Sequence, residues 1–145
     1  MNEIIEHIVG QKHIAVVGVS DKSFGGEIYK TLKHRGYTVY PVHPTRESFL
    51  GDTCYPSLRS LPSPEIKTAV IAVAPELAAP VVDDAAFAGI THLWFQQGKN
   101  FADALEAARA VGLKTVHRKC ILMYAGEVKS IHAFHRFFAK LFGQY

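Results

Sequence analysis

Residues His13–Val19 read HIAVVGV, an unbroken apolar, mostly β-branched run that closes on a glycine turn. A half-exposed strand alternates apolar and polar residues. A run apolar at every position predicts a strand covered on both faces, which is the signature of a parallel sheet between helices. Thr68–Val73 (TAVIAV) is a second such run, and Thr38–Val42, Ile90–Phe95 and Lys114–His117 read as further strands. A short Thr53–Tyr55 segment reads as a weak strand beside them, and Pro41 and Pro44 limit how far the Thr38–Val42 strand can pair. Helical patterns fill the gaps. Asn2–Val9 forms a short leading helix. Phe24–Arg35 follows the first strand, with Phe24, Ile28 and Leu32 on one face. The next helix starts near Pro80 and stops before Gly89, since proline suits a first turn. Asn100 and Asp103 have capping-box spacing for a helix reaching Val111, and an amphipathic helix over about 127–142 closes the chain. Strand and helix alternation predicts an α/β, doubly wound, mainly parallel sheet with helices on both faces, in one domain spanning 1–145.

In such sheets ligands bind at the carboxyl ends of the strands, where strand order reverses. Gly18–Gly26, His43–Arg46, Ala74-Pro75, Gln96–Lys99 and Arg118–Cys120 all fall there. The loop VGVSDKSFGGE suits a phosphate. Gly18 allows the turn, and Gly25 and Gly26 clear side chains from a helix start whose amides and dipole attract anions. Ser20 and Ser23 offer hydroxyls, Ser23 also a helix cap, and Lys22 a charge. The plainer reading of the glycines is chain turning and helix–sheet packing. The dinucleotide pattern GxGxxG is broken at Ser20, and no acid closes the second strand to hold a ribose hydroxyl. Arg46 stands beyond that strand instead. It is either a solvated loop arginine or a clamp for a ribose-bound phosphate, which NADP carries on the 2′ oxygen and coenzyme A on the 3′ oxygen.

The ordered segments VVGVS, FGGEIYKTLKHRGYTVYPVHP, GDTCYPSL, TAVIAVAPE, LWFQQG and RKCI resemble the stand-alone CoA-binding domain proteins. These are relatives of the N-terminal half of the succinyl-CoA synthetase alpha subunit. The resemblance covers about residues 12–122 and implies a Rossmann-like fold with CoA or an acyl-CoA as ligand. It implies that Gly18, Val19, Ser20, Lys22, Ser23, Phe24 and Gly25 hold the CoA phosphates. His43, Pro44 and Arg46 would flank the adenosine end, and Ala74, Pro75, Gln96 and Gln97 would line the rest. His43 departs from the relatives, which carry asparagine there.

No Ser-His-Asp set, paired carboxylates or phosphohistidine context stands out among the eight histidines, so the sequence leans towards binding without catalysis. An NADP-linked or acyl-transfer enzyme completed by a partner, and a protein-interaction module, stay open as alternatives. Net charge +3 is too small to argue for nucleic acid. With no apolar run of about 20 residues there is no membrane span. Two unpaired cysteines and an N-terminus without a signal-peptide core predict a cytoplasmic protein with reduced thiols. Cys120 falls where it could meet a CoA thiol, or be merely inert and buried. His117-x-x-Cys120 is half a metal site without a partner cluster, so no metal is expected. The last helix sets Ile131, Phe134, Phe137, Phe138 and Leu141 against Lys129, His132, Arg136 and Lys140. It packs on its own domain or meets a second copy or a protein partner.

Overall fold

The computed structural model describes residues 3–96 and 100–125. In chain order the elements are α1 (Glu3–Val9), β1 (His13–Val17), α2 (Phe24–His34), β2 (Thr38–Val42), β3 (Ser48–Phe49), β4 (Asp52–Thr53), β5 (Thr68–Ile71), α3 (Pro75–Ala88), β6 (His92–Gln96), α4 (Ala102–Ala110) and β7 (Lys114–Lys119). Five strands form one parallel sheet in the order β2-β1-β5-β6-β7. The chain leaves β1 for one flank and returns through β5 to the other, so strand order reverses between β1 and β5. This is a doubly wound, Rossmann-like α/β domain.

The apolar runs explain the layers. Successive side chains of a strand face opposite sides. Ile14, Val16, Val70, Trp94 and Val116 pack with α1 and α2, while Ala15, Val17, Ala69, Ile71, Leu93 and Phe95 pack with α3 and α4. Burying each large side chain contributes about 1.5–3 kcal/mol. Trp94 is fully buried and its indole N–H still finds the Lys119 carbonyl at 2.8 Å. Pro41 sits in the edge strand β2 at no cost to the ladder, since its carbonyl turns outward and accepts the Tyr55 amide at 2.9 Å.

Several local expectations are corrected. The expected Thr53–Tyr55 strand is instead the antiparallel β3–β4 hairpin plus a single parallel bridge from Tyr55 to Val42. α3 begins at Pro75, five residues before Pro80, which lies inside the helix. Pro80 withholds an amide from the Glu76 carbonyl, but both residues are exposed and water can solvate that oxygen. Asn100 does not cap by a box: its Oδ1 accepts the Ala102 amide at 2.9 Å and α4 starts one residue later than expected. Phe24 is 49% exposed, and the inner face of α2 is Gly25, Ile28, Tyr29 and Leu32. The expected helix over 127–142 lies outside the described residues.

The hairpin is pinned to α2. Tyr29 donates its hydroxyl hydrogen to Asp52, and Lys33 reaches the same carboxylate at 2.5 Å. Those two donors, Lys33 first, hold the Asp52 carboxyl below the usual carboxylate range, and burial followed by the Asp52 bond pushes the Tyr29 phenol up.

At the other end of the sheet, His7 of α1 stacks on His92 of β6 with ring centroids 4.0 Å apart. Burial, then the neighbouring His7 and Lys114, lower the His92 pKa from 6.5 to about 4. The unfolded chain therefore takes up this proton first. Stability should be insensitive to this group above pH 6.5 and should fall as pH drops from 6.5 towards about 4. Melting temperatures across that window should decline in the wild type and decline less in His92→Gln; parallel profiles for the two would refute the assignment.

Candidate functional site

The reversal point between β1 and β5 is where backbone meets backbone. Gly18 leaves β1 at φ +106°, and a Cβ there would stand 2.7 Å from the Ala72 carbonyl oxygen. Only glycine accommodates both the left-handed turn and that approach. A Cβ at Gly25 would stand 2.4 Å from the Gly18 oxygen, and one at Gly26 would stand 2.1 Å from the Ser20 oxygen. The glycine pair therefore lets the β1–α2 loop lie across the helix start. Chain packing alone is sufficient reason for glycine at both positions.

Ser23 is the N-cap of α2, as expected. Its Oγ accepts the Gly26 amide at 3.0 Å and donates to the Gly18 oxygen at 3.0 Å, so the hydroxyl is committed to the loop and is not a spare donor for a ligand. The Phe24 and Gly25 amides, also in the first turn, have no acceptor among the described residues. Val19 is buried in the core, which leaves only its backbone to face the loop. Ser20 is half-buried, and Lys22 is exposed and makes no ion pair among the described residues.

A second helix N-terminus lies at the same strand ends. Ala74 caps α3 without a side-chain bond, and Pro75 is its first residue. Local reading missed this start, although Ala-Pro-Glu carries the signal: proline at the first position, then an acid in the first turn. Two helices thus direct their positive dipole ends at the region where strand order reverses.

The loop after β2 supplies the cation. His43 Nδ1 accepts the amides of Thr45 and Arg46, each at 3.1 Å. An asparagine side-chain oxygen serves such a turn equally well, so the histidine keeps the loop geometry. Arg46 Nε donates to the Ser48 oxygen at 3.1 Å, its guanidinium lies over the Phe49 ring at 5.3 Å, and Nη2 meets Asp21 Oδ1 at 3.3 Å. Asp21 and the hairpin ring Phe49 are site neighbours that sequence reading did not single out. Pro44 is exposed on the same loop.

Gln96 ends β6 with 3% exposure. Its Oε1 accepts the Ile121 amide at 3.3 Å, and its Nε2 has no partner among the described residues. Gln97 lies outside them. Cys120 is 8% exposed, which fits the inert reading over a thiol open to the crevice. His117 is exposed, and no group of three or more His, Cys, Asp or Glu that could hold a metal occurs among the described residues. A cleft of about 280 Å³ lined by Leu58, Arg59, Leu61, Pro64, Ile66 and Phe87 opens beside the last turn of α3, at the opposite strand ends from Gly18. It has no part in this site.

Fold and strand-end geometry define a Rossmann-like domain whose helix N-termini and single loop arginine suit a phosphorylated ligand. Residues 12–125 match the family model described as CoA binding domain, and the chain belongs to that family. A solved structure of a hypothetical protein from Pyrococcus horikoshii OT3 superposes with a TM-score of 0.78 at 30% identity, covering 93% of this chain and 92% of that one. A conserved hypothetical protein from Pyrococcus furiosus gives 0.71 at 32% identity over 77% of this chain and 97% of that one. The chain is also 28% identical over 144 residues to acetate–CoA ligase (ADP-forming) I of Archaeoglobus fulgidus, covering 91% of this chain but only 21% of the ligase.

Proposed function

We propose that this chain binds coenzyme A or an acyl-CoA at the carboxyl ends of β1, β2, β5 and β6, as a binding, carrier or sensor module without catalysis of its own. The observation that carries the reading is the convergence of two helix N-termini with Arg46 across one loop. The amides and dipoles of α2 and α3 suit a pyrophosphate, and Arg46, beyond β2, suits a ribose-bound phosphate. Gln96 fits the remaining length of such a ligand, since its buried Nε2 is a donor with no acceptor among the described residues. The family match supports CoA over NADP as the source of the ribose phosphate. The glycines contribute only by shaping the loop.

Absence of catalysis is inferred from what the site residues offer: donors and cations, with no nucleophile paired to a base. The ADP-forming ligase spans far more than the length shared here, so its acyl–CoA chemistry is not carried over to this chain. The reading treats 1–145 as one cytoplasmic unit, and the segment 127–142 as its contact for a second copy or a protein partner. No helix among the described residues is long and apolar enough to cross a membrane.

A thermal-shift panel of CoA, acetyl-CoA, NAD, NADP and FAD tests the ligand. CoA or acetyl-CoA at 100 times its dissociation constant should stabilise by about 2.7 kcal/mol, with the others near zero. A larger shift with NADP would transfer Arg46 to a 2′-phosphate and end the CoA reading. Incubation with CoA, ATP and short carboxylic acids should yield no acyl-CoA; turnover would end the non-catalytic one.

A further inference from the structure

We propose that Asp21 is an internal competitor for Arg46, holding the guanidinium until a phosphate displaces it; this rests on the CoA reading above. Arg46 does not need Asp21 for its position. Its backbone amide is fixed by His43 Nδ1 at 3.1 Å, its Nε by the Ser48 oxygen at 3.1 Å, and its guanidinium lies over the Phe49 ring at 5.3 Å. Asp21 adds one contact, from Nη2 at 3.3 Å, and its own side chain is 73% exposed. It has no other side-chain partner among the described residues.

What Asp21 does add is a negative charge beside Arg46, on the loop that leads into the α2 amides left without an acceptor among the described residues. A ligand phosphate reaching Arg46 must replace the carboxylate and also lie near it. A phosphate monoester carries about −1.5 to −2 charges at neutral pH, so it attracts the guanidinium more strongly than a single carboxylate does. Asp21 therefore lowers the affinity of Arg46 for an incoming phosphate by the cost of breaking this pair. It tunes the affinity of a cation that stands on the opposite loop.

The test is Asp21→Asn in the full chain, titrated calorimetrically with CoA and with dephospho-CoA, which lacks the 3′-phosphate. An exposed ion pair of this kind corresponds to a change of about two- to fivefold in affinity. Asp21→Asn should tighten CoA by that factor and dephospho-CoA by less, with the gain shrinking at high salt. In an Arg46→Ala background the same substitution should give a clearly smaller gain. Unchanged or weakened CoA binding by Asp21→Asn would mean that the carboxylate positions Arg46, and would overturn the proposal. So would an equal gain in the Arg46→Ala background, which would mean general repulsion. Wild-type protein that binds no CoA would overturn the ligand reading and this inference together; binding by the wild type with no gain in the variant overturns this inference alone.

Discussion

Alanine at Gly26 should destabilise the fold by about 1–3 kcal/mol or more, the range for forcing atoms into a packed interior. The added methyl would stand 2.1 Å from the Ser20 carbonyl oxygen, a backbone atom that cannot swing aside as a side-chain tip does. Phe49, 3.2 Å away on the other side, leaves little room to retreat. Gly25→Ala meets the Gly18 oxygen at 2.4 Å and should behave alike. Urea denaturation would register both as lower midpoints with an unchanged slope. A midpoint equal to the wild type would show that the loop yields freely, and would return the pair to a ligand-facing role. Because both variants disturb the loop itself, loss of CoA binding in either says little about phosphate contact.

Arg46→Ala is the informative probe, since its side chain lies on the surface of the loop rather than within it. Charge-assisted hydrogen bonds contribute about 1.5–3 kcal/mol. Partial exposure and the existing contact with Asp21 place the expectation at the low end. CoA should weaken about tenfold, and dephospho-CoA should scarcely change. The fold should survive, losing mainly a cation–π contact with Phe49 of about 0.5–1 kcal/mol. Equal losses for both ligands would make Arg46 a packing residue; no loss for either would place the phosphate elsewhere, with exposed Lys22 the next group to substitute.

The strands were legible because their signal is one of composition. Ile14–Val17 and Thr68–Ile71 are buried at every position, as unbroken apolar runs require. The helix starts were less legible because a local rule can apply twice. Pro75 and Pro80 both satisfy the first-turn preference, and only the end of β5 decides between them. Phe24 illustrates a different limit. Steps of four residues drift around a helix by about 40° each, so Phe24 leaves the face that Ile28 and Leu32 share with the sheet, and glycine takes the close position. The glycine pair is ambiguous in sequence, since a missing Cβ reads the same whether backbone or ligand comes near; the structure shows backbone there. The Arg46–Asp21 pair joins residues 25 apart through the spacing of two loops, which no local pattern encodes.

The last strand has a consequence for how the molecule meets its neighbours. Among the described residues β7 is an outer strand of the sheet, its pairing with β6 slips between Trp94 and Gln96, and Arg118 takes a left-handed φ of +63° there. Such an irregularity twists the outward row of amides and carbonyls out of line. Lys114, Arg118 and Lys119 add exposed, charge-bearing side chains along the same stretch. An approaching strand from another molecule would find neither a straight template nor an apolar surface to zip against, which protects a sheet of this kind from edge-to-edge aggregation.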